Sequence, residues 1–268
     1  MRGGRVRVSA LHFEVRGRGP DLVLLHGWSF NLRVWDELAA ALEREFRLIA
    51  IDLPGHGRSD WDARAATAAA ETYRVHETLA QLTVRYALLG WSLGGQIALD
   101  LAAAMPAGIE RLVLVGSTPR FLAGPGWRCG TAPRLHETLA KRLESDRDKA
   151  GAEFLALLAR GSSPRTAARV RAKLREALRL QGSAKFEALV NGLARLASTD
   201  LRAALPLLRV PALVIAGRRD PIVRPAAGRA LAAALPRARY AEFAGAAHAP
   251  FLSHPQKFAM LLRRFLRG

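Results

Sequence analysis

The sequence predicts an α/β protein: a mostly parallel sheet flanked by helices, with a helical cap inserted between two of its strands. Three observations point there. Near-continuous apolar runs of strand length alternate with stretches of helical periodicity, the pattern of strands joined by helical crossovers. The alternation breaks after Ser117 and resumes at Val210. Ahead of that break, one apolar run ends in Gly90-Trp91-Ser92-Leu93-Gly94 and passes straight into a helical pattern.

Taken in order, the strands are expected in DLVLLHG (21–27), FRLIAID (46–52), YALLG (86–90), RLVLVGS (111–117), ALVIAGRRD (212–220) and RYAEFAGAAH (239–248). Runs apolar on both alternate positions belong to strands buried on both faces of a parallel sheet. Helices are expected in VWDELAAALEREF (34–46), GGQIALDLAAAMP (94–106) and the closing PQKFAMLLRRFL (255–266). From 119 to 205 only helical segments are visible, punctuated by AGPGW, GSSP and QGS. A helical block between two strands of one sheet reads as a cap over the strand ends. The expected division is therefore a core of residues 1–118 and 206–268 and a cap of 119–205, with no internal repeat.

The chemistry centres on Ser92. A G-x-S-x-G segment that closes a buried strand and opens a helix is the context of a nucleophile elbow. Glycines two positions either side let strand and helix approach without a Cβ between them. The helix start would set the Leu93 N–H beside an oxyanion formed at Ser92. A serine needs a base, and the order Ser, acid, His is met by Asp220 at the end of one strand and His248 after the last. His248 would act as general base and then general acid, with Asp220 fixing its tautomer. Singly each is weak: Ser92 could be an ordinary helix N-cap, Asp220 a turn cap, His248 a buried histidine bonded to a carbonyl. Together, in order, they select catalysis. His76 and His136 lie on helical patterns and His254 at a helix start. The second oxyanion donor is expected from the Trp28 N–H in HGWSF (26–30), where His26 and Gly27 shape the loop. DLPGHGRSD (52–60), including Asp52, is read as architecture.

Composition narrows the classes. The chain has 268 residues, half of them hydrophobic, enough for one large core. The basic opening MRGGRVRVS leads into no apolar stretch, so no signal peptide is expected, and no run approaches the roughly 18 residues of a spanning helix. The single cysteine, Cys129, permits no internal disulfide and accords with a reducing compartment; a cytoplasmic protein is expected, and a monomer. There are 41 basic against 23 acidic residues, a net charge of +18. Such a field favours acidic partners; an Arg-rich compositional habit explains it equally well. Aromatic interleaving of the kind that nucleic-acid recognition needs is absent, so no specific nucleic acid is expected. No residue cluster has zinc spacing and no loop has a Walker or dinucleotide fingerprint; no metal and no cofactor is expected.

LVLLHGW, DLPGHGRS, GWSLGG, STDLR and AAHAPFLSHP together resemble the α/β-hydrolase superfamily along the whole chain, and within it the pimeloyl-acyl-carrier-protein methyl ester esterases of biotin synthesis. The resemblance implies the α/β-hydrolase fold and a serine esterase that cleaves the methyl ester of a pimeloyl chain on acyl carrier protein, releasing methanol. It implies Ser92, Asp220 and His248 as the triad, with Trp28, Ser92, Leu93 and His248 touching substrate. It also implies an acyl channel lined by Phe154, Leu155, Ala156, Leu157 and Leu158, a stripe that serves equally as packing between cap and core. The family docks its acidic carrier on cap arginines. Here residues 160–179 hold seven basic residues against Glu176. On a helix, Arg165, Arg169 and Lys173 form one stripe and Arg171, Arg175 and Arg179 the next, opposite Val170, Leu174 and Leu178. Arg165, Arg169, Arg171, Lys173 and Arg175 are thus the candidate docking residues, and Glu153 departs from the basic character expected beside Phe154. A generalist short-chain esterase, a carbon–carbon bond hydrolase with the same triad, and a ligand receptor that retains the triad are the alternatives.

Overall fold

The computed structural model describes residues 11–268; the Met1–Ser9 stretch considered above lies outside them. Among the described residues, seven strands form one sheet: β1 (Phe13–Arg16), β2 (Asp21–Leu25), β3 (Arg47–Ile51), β4 (Tyr86–Trp91), β5 (Ile109–Val115), β6 (Ala212–Gly217) and β7 (Ala238–Phe243), in the order β1-β3-β2-β4-β5-β6-β7. Only β1 runs antiparallel, pairing with β3, and the rest is parallel. The sequence pattern predicts no strand at β1, because FEVR is short and half polar, and among the described strands it lies at the sheet edge. The central strands are apolar on both faces because helices cover both: α1 (Asp36–Leu42), α2 (Ala68–Ala80), α3 (Leu93–Ala104), then, after the insertion, α8 (Pro225–Ala234), α9 (Pro250–Ser253) and α10 (Pro255–Arg267). The helical pattern expected over 34–46 divides into a tight 3-10 turn, Leu32–Trp35, followed by the short α1.

The insertion between β5 and β6 holds α4 (Pro133–Ser145), α5 (Arg147–Leu158), α6 (Pro164–Gln181) and α7 (Phe186–Ser198). Their ends are written locally. Asp146 caps α5 by accepting the Lys149 N–H, and Ser163 caps α6 by accepting that of Thr166, ahead of Pro164 at the first helical position. Gly182, with φ of 81°, ends α6. The insertion is tied to the rest of the chain by buried polar contacts. Asn31 Nδ2 donates to the Ala177 and Gly182 carbonyls. Arg195 of α7, almost wholly buried, bonds Asp100 of α3 at 2.9 Å and Thr72 of α2 at 3.0 Å and pairs with Glu71 at 3.4 Å. Burial pushes the Glu71 carboxyl above its usual range, against the pull of Arg195. No described helix is long and apolar enough to cross a membrane.

The sheet positions the site. The connection after β2 runs to β3 on one side, while that after β4 runs to β5 on the other. The two loops therefore diverge at the carboxyl ends of adjacent strands, opening the crevice that parallel α/β sheets use for ligands. Trp28 follows β2 and Ser92 follows β4; Asp220 and His248 follow β6 and β7 at the same edge.

Candidate active site

Ser92 occupies the turn between β4 and α3 with φ of 55° and ψ of −116°, backbone that a side chain adopts only under strain. The glycines make that turn possible. A Cβ on Gly90 would stand 2.3 Å from the Gly94 carbonyl oxygen, and one on Gly94 2.4 Å from the Leu25 and His26 carbonyls. Gly95 is required for a further reason: its Cβ would fall 1.8 Å from Ser117 Oγ. The Leu93 N–H, first in α3, and the Trp28 N–H donate to no other described backbone group, and both remain available as donors.

Asp220 and His248 are buried and meet: His248 Nδ1 lies 2.6 Å from Asp220 Oδ2. Asp220 Oδ1 accepts the Ile222 and Val223 N–H groups at 2.8 and 3.0 Å, so the carboxylate is an acceptor on both oxygens and Nδ1–H is the donor of the pair. That leaves the lone pair on His248 Nε2, which is buried and has no hydrogen-bond partner. The ring fits because Gly116, at φ of 51°, replaces a Cβ that would lie 3.1 Å from its Cε1 and Nδ1. The backbone is held from two directions, by the Trp91 indole on the His248 carbonyl at 2.9 Å and by the Leu158 carbonyl accepting the His248 N–H at 3.2 Å.

Ser92 opens into a cavity of about 30 Å³ lined otherwise by Trp28, Phe121, Leu135, His136, Leu139, Phe154, Leu157, Leu193, Leu196 and Ile222. It is apolar apart from Ser92, the His136 ring and the Trp28 indole N–H. Trp28 is braced: its Nε1–H donates to the Leu189 carbonyl at 2.9 Å and its ring meets Phe154 edge-on, 4.9 Å between centroids. Gly192 lets α7 approach it, since a Cβ there would stand 2.7 Å from Trp28 Cδ1. Of the stripe 154–158, Phe154 and Leu157 line this cavity, Leu155 faces a neighbouring cleft, Leu158 is buried and Ala156 is exposed. Five consecutive helical residues cannot share a face, so Ala156 and Leu158 do not reach the cavity. His136, set aside in the sequence because it lies on a helix, does reach it, with Nε2 donating to the Leu193 carbonyl at 2.9 Å. The signal was the i, i+4 pairing of Leu135 and Leu139 on the apolar face of α4.

The loop residues read as architecture behave so. His26 bonds the Gly27 carbonyl through Nδ1 and accepts the Leu53 N–H on Nε2. Burial holds its pKa at about 4, and that of His56 at about 3. Asp52 accepts from the Leu32 and Arg58 N–H groups, His12 and Gln181. On α6, Arg165 and Arg175 are exposed and Arg171 half-buried, all three without an ion pair among the described residues. Arg169 is engaged with Glu37 and the Leu252 carbonyl, and Lys173 with Glu176 at 2.9 Å.

The sequence profile of the alpha/beta hydrolase family matches residues 22–261. A pimeloyl-[acyl-carrier protein] methyl ester esterase of Stenotrophomonas maltophilia is 40% identical over 96% of this chain and 97% of its own. Its namesake in Xanthomonas oryzae pv. oryzae is 42% identical over 96% and 98%. Among solved structures, an esterase from Exiguobacterium antarcticum superposes with a TM-score of 0.87 at 23% identity, covering 96% of each chain, a likeness of fold. By its sequence match and its sheet, the chain belongs to the alpha/beta hydrolase family.

Proposed function

We propose that the protein is a serine carboxylesterase that hydrolyses the methyl ester of pimeloyl-acyl carrier protein, releasing methanol, in biotin synthesis. One observation carries the catalytic reading: a serine held at positive φ at a strand–helix junction, on the same sheet edge as a buried His–Asp pair whose outer imidazole nitrogen is unpartnered. Full-length similarity to esterases named for that substrate supports the choice of ester.

In this reading Ser92 Oγ attacks the ester carbonyl as His248 Nε2 takes its proton. The developing oxyanion is met by the Leu93 and Trp28 N–H groups; each such donor contributes on the order of 3 kcal/mol to the transition state. His248 returns the proton to the departing methoxide, giving methanol and an acyl-Ser92. Water, deprotonated by His248, then releases the free ω-carboxylate. Asp220 holds the imidazole in the reactive tautomer and stabilises the imidazolium. Phe154 and Leu157, which line the Ser92 cavity, contact the carbonyl end of the acyl chain. Arg165, Arg171 and Arg175, which have no ion pair among the described residues, present their cations to the acidic carrier, with Arg169 and Lys173 beside them.

The test is demethylation of pimeloyl-acyl carrier protein methyl ester, followed by mass. Wild type is expected to remove the methyl group and Ser92→Ala to lose at least about 10⁴-fold in rate. Cleavage of p-nitrophenyl esters without demethylation would leave a serine esterase with a different substrate.

A further inference from the structure

The Ser92 cavity, at about 30 Å³, has space for a water or two, and a pimeloyl chain does not fit in it. Trp28 forms part of its wall, and Trp28 also lines a second, open cleft of about 270 Å³. This cleft lies between α5, the C-terminal half of α6 and the α6–α7 connection. Its floor is apolar, with Phe30, Leu155, Leu178 and Leu189, as an acyl chain requires.

Its rim is polar and carries an excess of positive charge: Arg147 and Arg175 against Asp148. The Arg147 guanidinium is held in place by Ser183 Oγ at 3.1 Å and by the Ala184 carbonyl. Arg175 is exposed and has no ion-pair partner among the described residues. Ser29, on the wall, has φ of 67°; it and Ser92 are the two described non-glycine residues at positive φ. A strained residue beside a cavity is a feature that binding sites retain.

We propose that this cleft is an anion subsite: a linear acyl ester with its carbonyl at Ser92 runs past Trp28 and places an anionic far end between Arg147 and Arg175. The anion is the carboxylate of a free dicarboxylate half-ester or the phosphate of a carrier's prosthetic arm. Hydrolysis is unchanged in its chemistry: methyl half-ester and water give dicarboxylate, methanol and a proton. The inference rests on Ser92 being the esterase nucleophile and not on the carrier being required.

The experiment compares kcat/KM for three series of methyl esters over a range of chain lengths. One ends in a methyl group, one in a carboxylate and one in a phosphate. Wild type is expected to prefer an anion-ended ester over the neutral ester of equal length by about tenfold, the equivalent of one well-placed charge contact. A preference greatest for carboxylate assigns the site to free half-esters; one greatest for phosphate, peaking at greater length, assigns it to the carrier arm. Arg175→Gln, at an exposed position, should lower the preference through KM. Arg147→Gln/Arg175→Gln should abolish it, and Arg175→Lys should keep it. No preference in wild type, or one that survives the double substitution, overturns the proposal. Absence of all ester hydrolysis would instead overturn the esterase reading of Ser92.

Discussion

The Trp91 indole N–H donates to the main-chain carbonyl of His248 over 2.9 Å, so the residue before the candidate nucleophile holds the backbone of the candidate base. Its ring also packs against Phe30 and Phe251, at 5.5 and 5.1 Å between centroids. Two loops far apart in sequence are thereby fixed to each other at the strand ends.

Trp91→Phe keeps most of the ring contacts and removes the donor, leaving a buried carbonyl unpaired. A stability loss of about 1–3 kcal/mol is expected, read from urea unfolding. A fall of roughly tenfold in kcat with KM little changed should accompany it, a 1 Å misplacement being worth that much or more. Unchanged kcat would show that this hydrogen bond does not position His248.

Strain at Ser92 sets stability against activity. Ser92→Gly should relieve the positive φ and raise stability by about 1 kcal/mol while abolishing ester hydrolysis. Ser92→Ala should abolish hydrolysis without that gain. Equal melting temperatures for the two variants would contradict the strained turn.

Two buried histidines predict the acid limb of stability. Folded pKa values of about 4 for His26 and about 3 for His56 lie below the ordinary 6.5, so from pH 6.5 downward the unfolded chain binds protons that the folded chain refuses. Stability is therefore full above pH 6.5 and falls as pH drops towards 4, by up to about 1.4 kcal/mol per pH unit per histidine. Denaturant titrations between pH 7 and 5 should show this slope, reduced by about half in His56→Gln. A flat profile would mean that neither ring is excluded from protonation.

Gly192 sits where α7 meets the Trp28 indole, and a side chain there has no room. Gly192→Val should displace Trp28 and raise KM for long acyl esters more than for acetate esters, with about 1–3 kcal/mol of overpacking. Proportionate effects on both substrates would argue that Trp28 does not border the acyl path.

The parallel core was legible because its strands are buried on both faces and so are written as unbroken apolar runs. The glycine-fenced Ser92 and the strand ends before Asp220 and His248 were legible because the turn and the order are local. What the sequence did not reveal is long-range. β1 is too short and too polar to read as a core strand and is a strand by virtue of pairing with β3. Arg195 reads as one arginine among many, and its burial follows from Glu71 and Asp100, each about 100 or more positions away. The Phe154–Leu158 stripe is contiguous in sequence, whereas the helix turns Ala156 to solvent. His136 required the position of α7 before its place in the cavity could be seen.

Ser92 as nucleophile is tested most directly by finding which residue an ester-mimicking fluorophosphonate modifies covalently, mapped by peptide mass spectrometry. One adduct is expected, on Ser92, absent in Ser92→Ala and formed about 10³-fold or more slowly in His248→Ala. An adduct at another residue, or methyl ester hydrolysis that survives in Ser92→Ala, would contradict it.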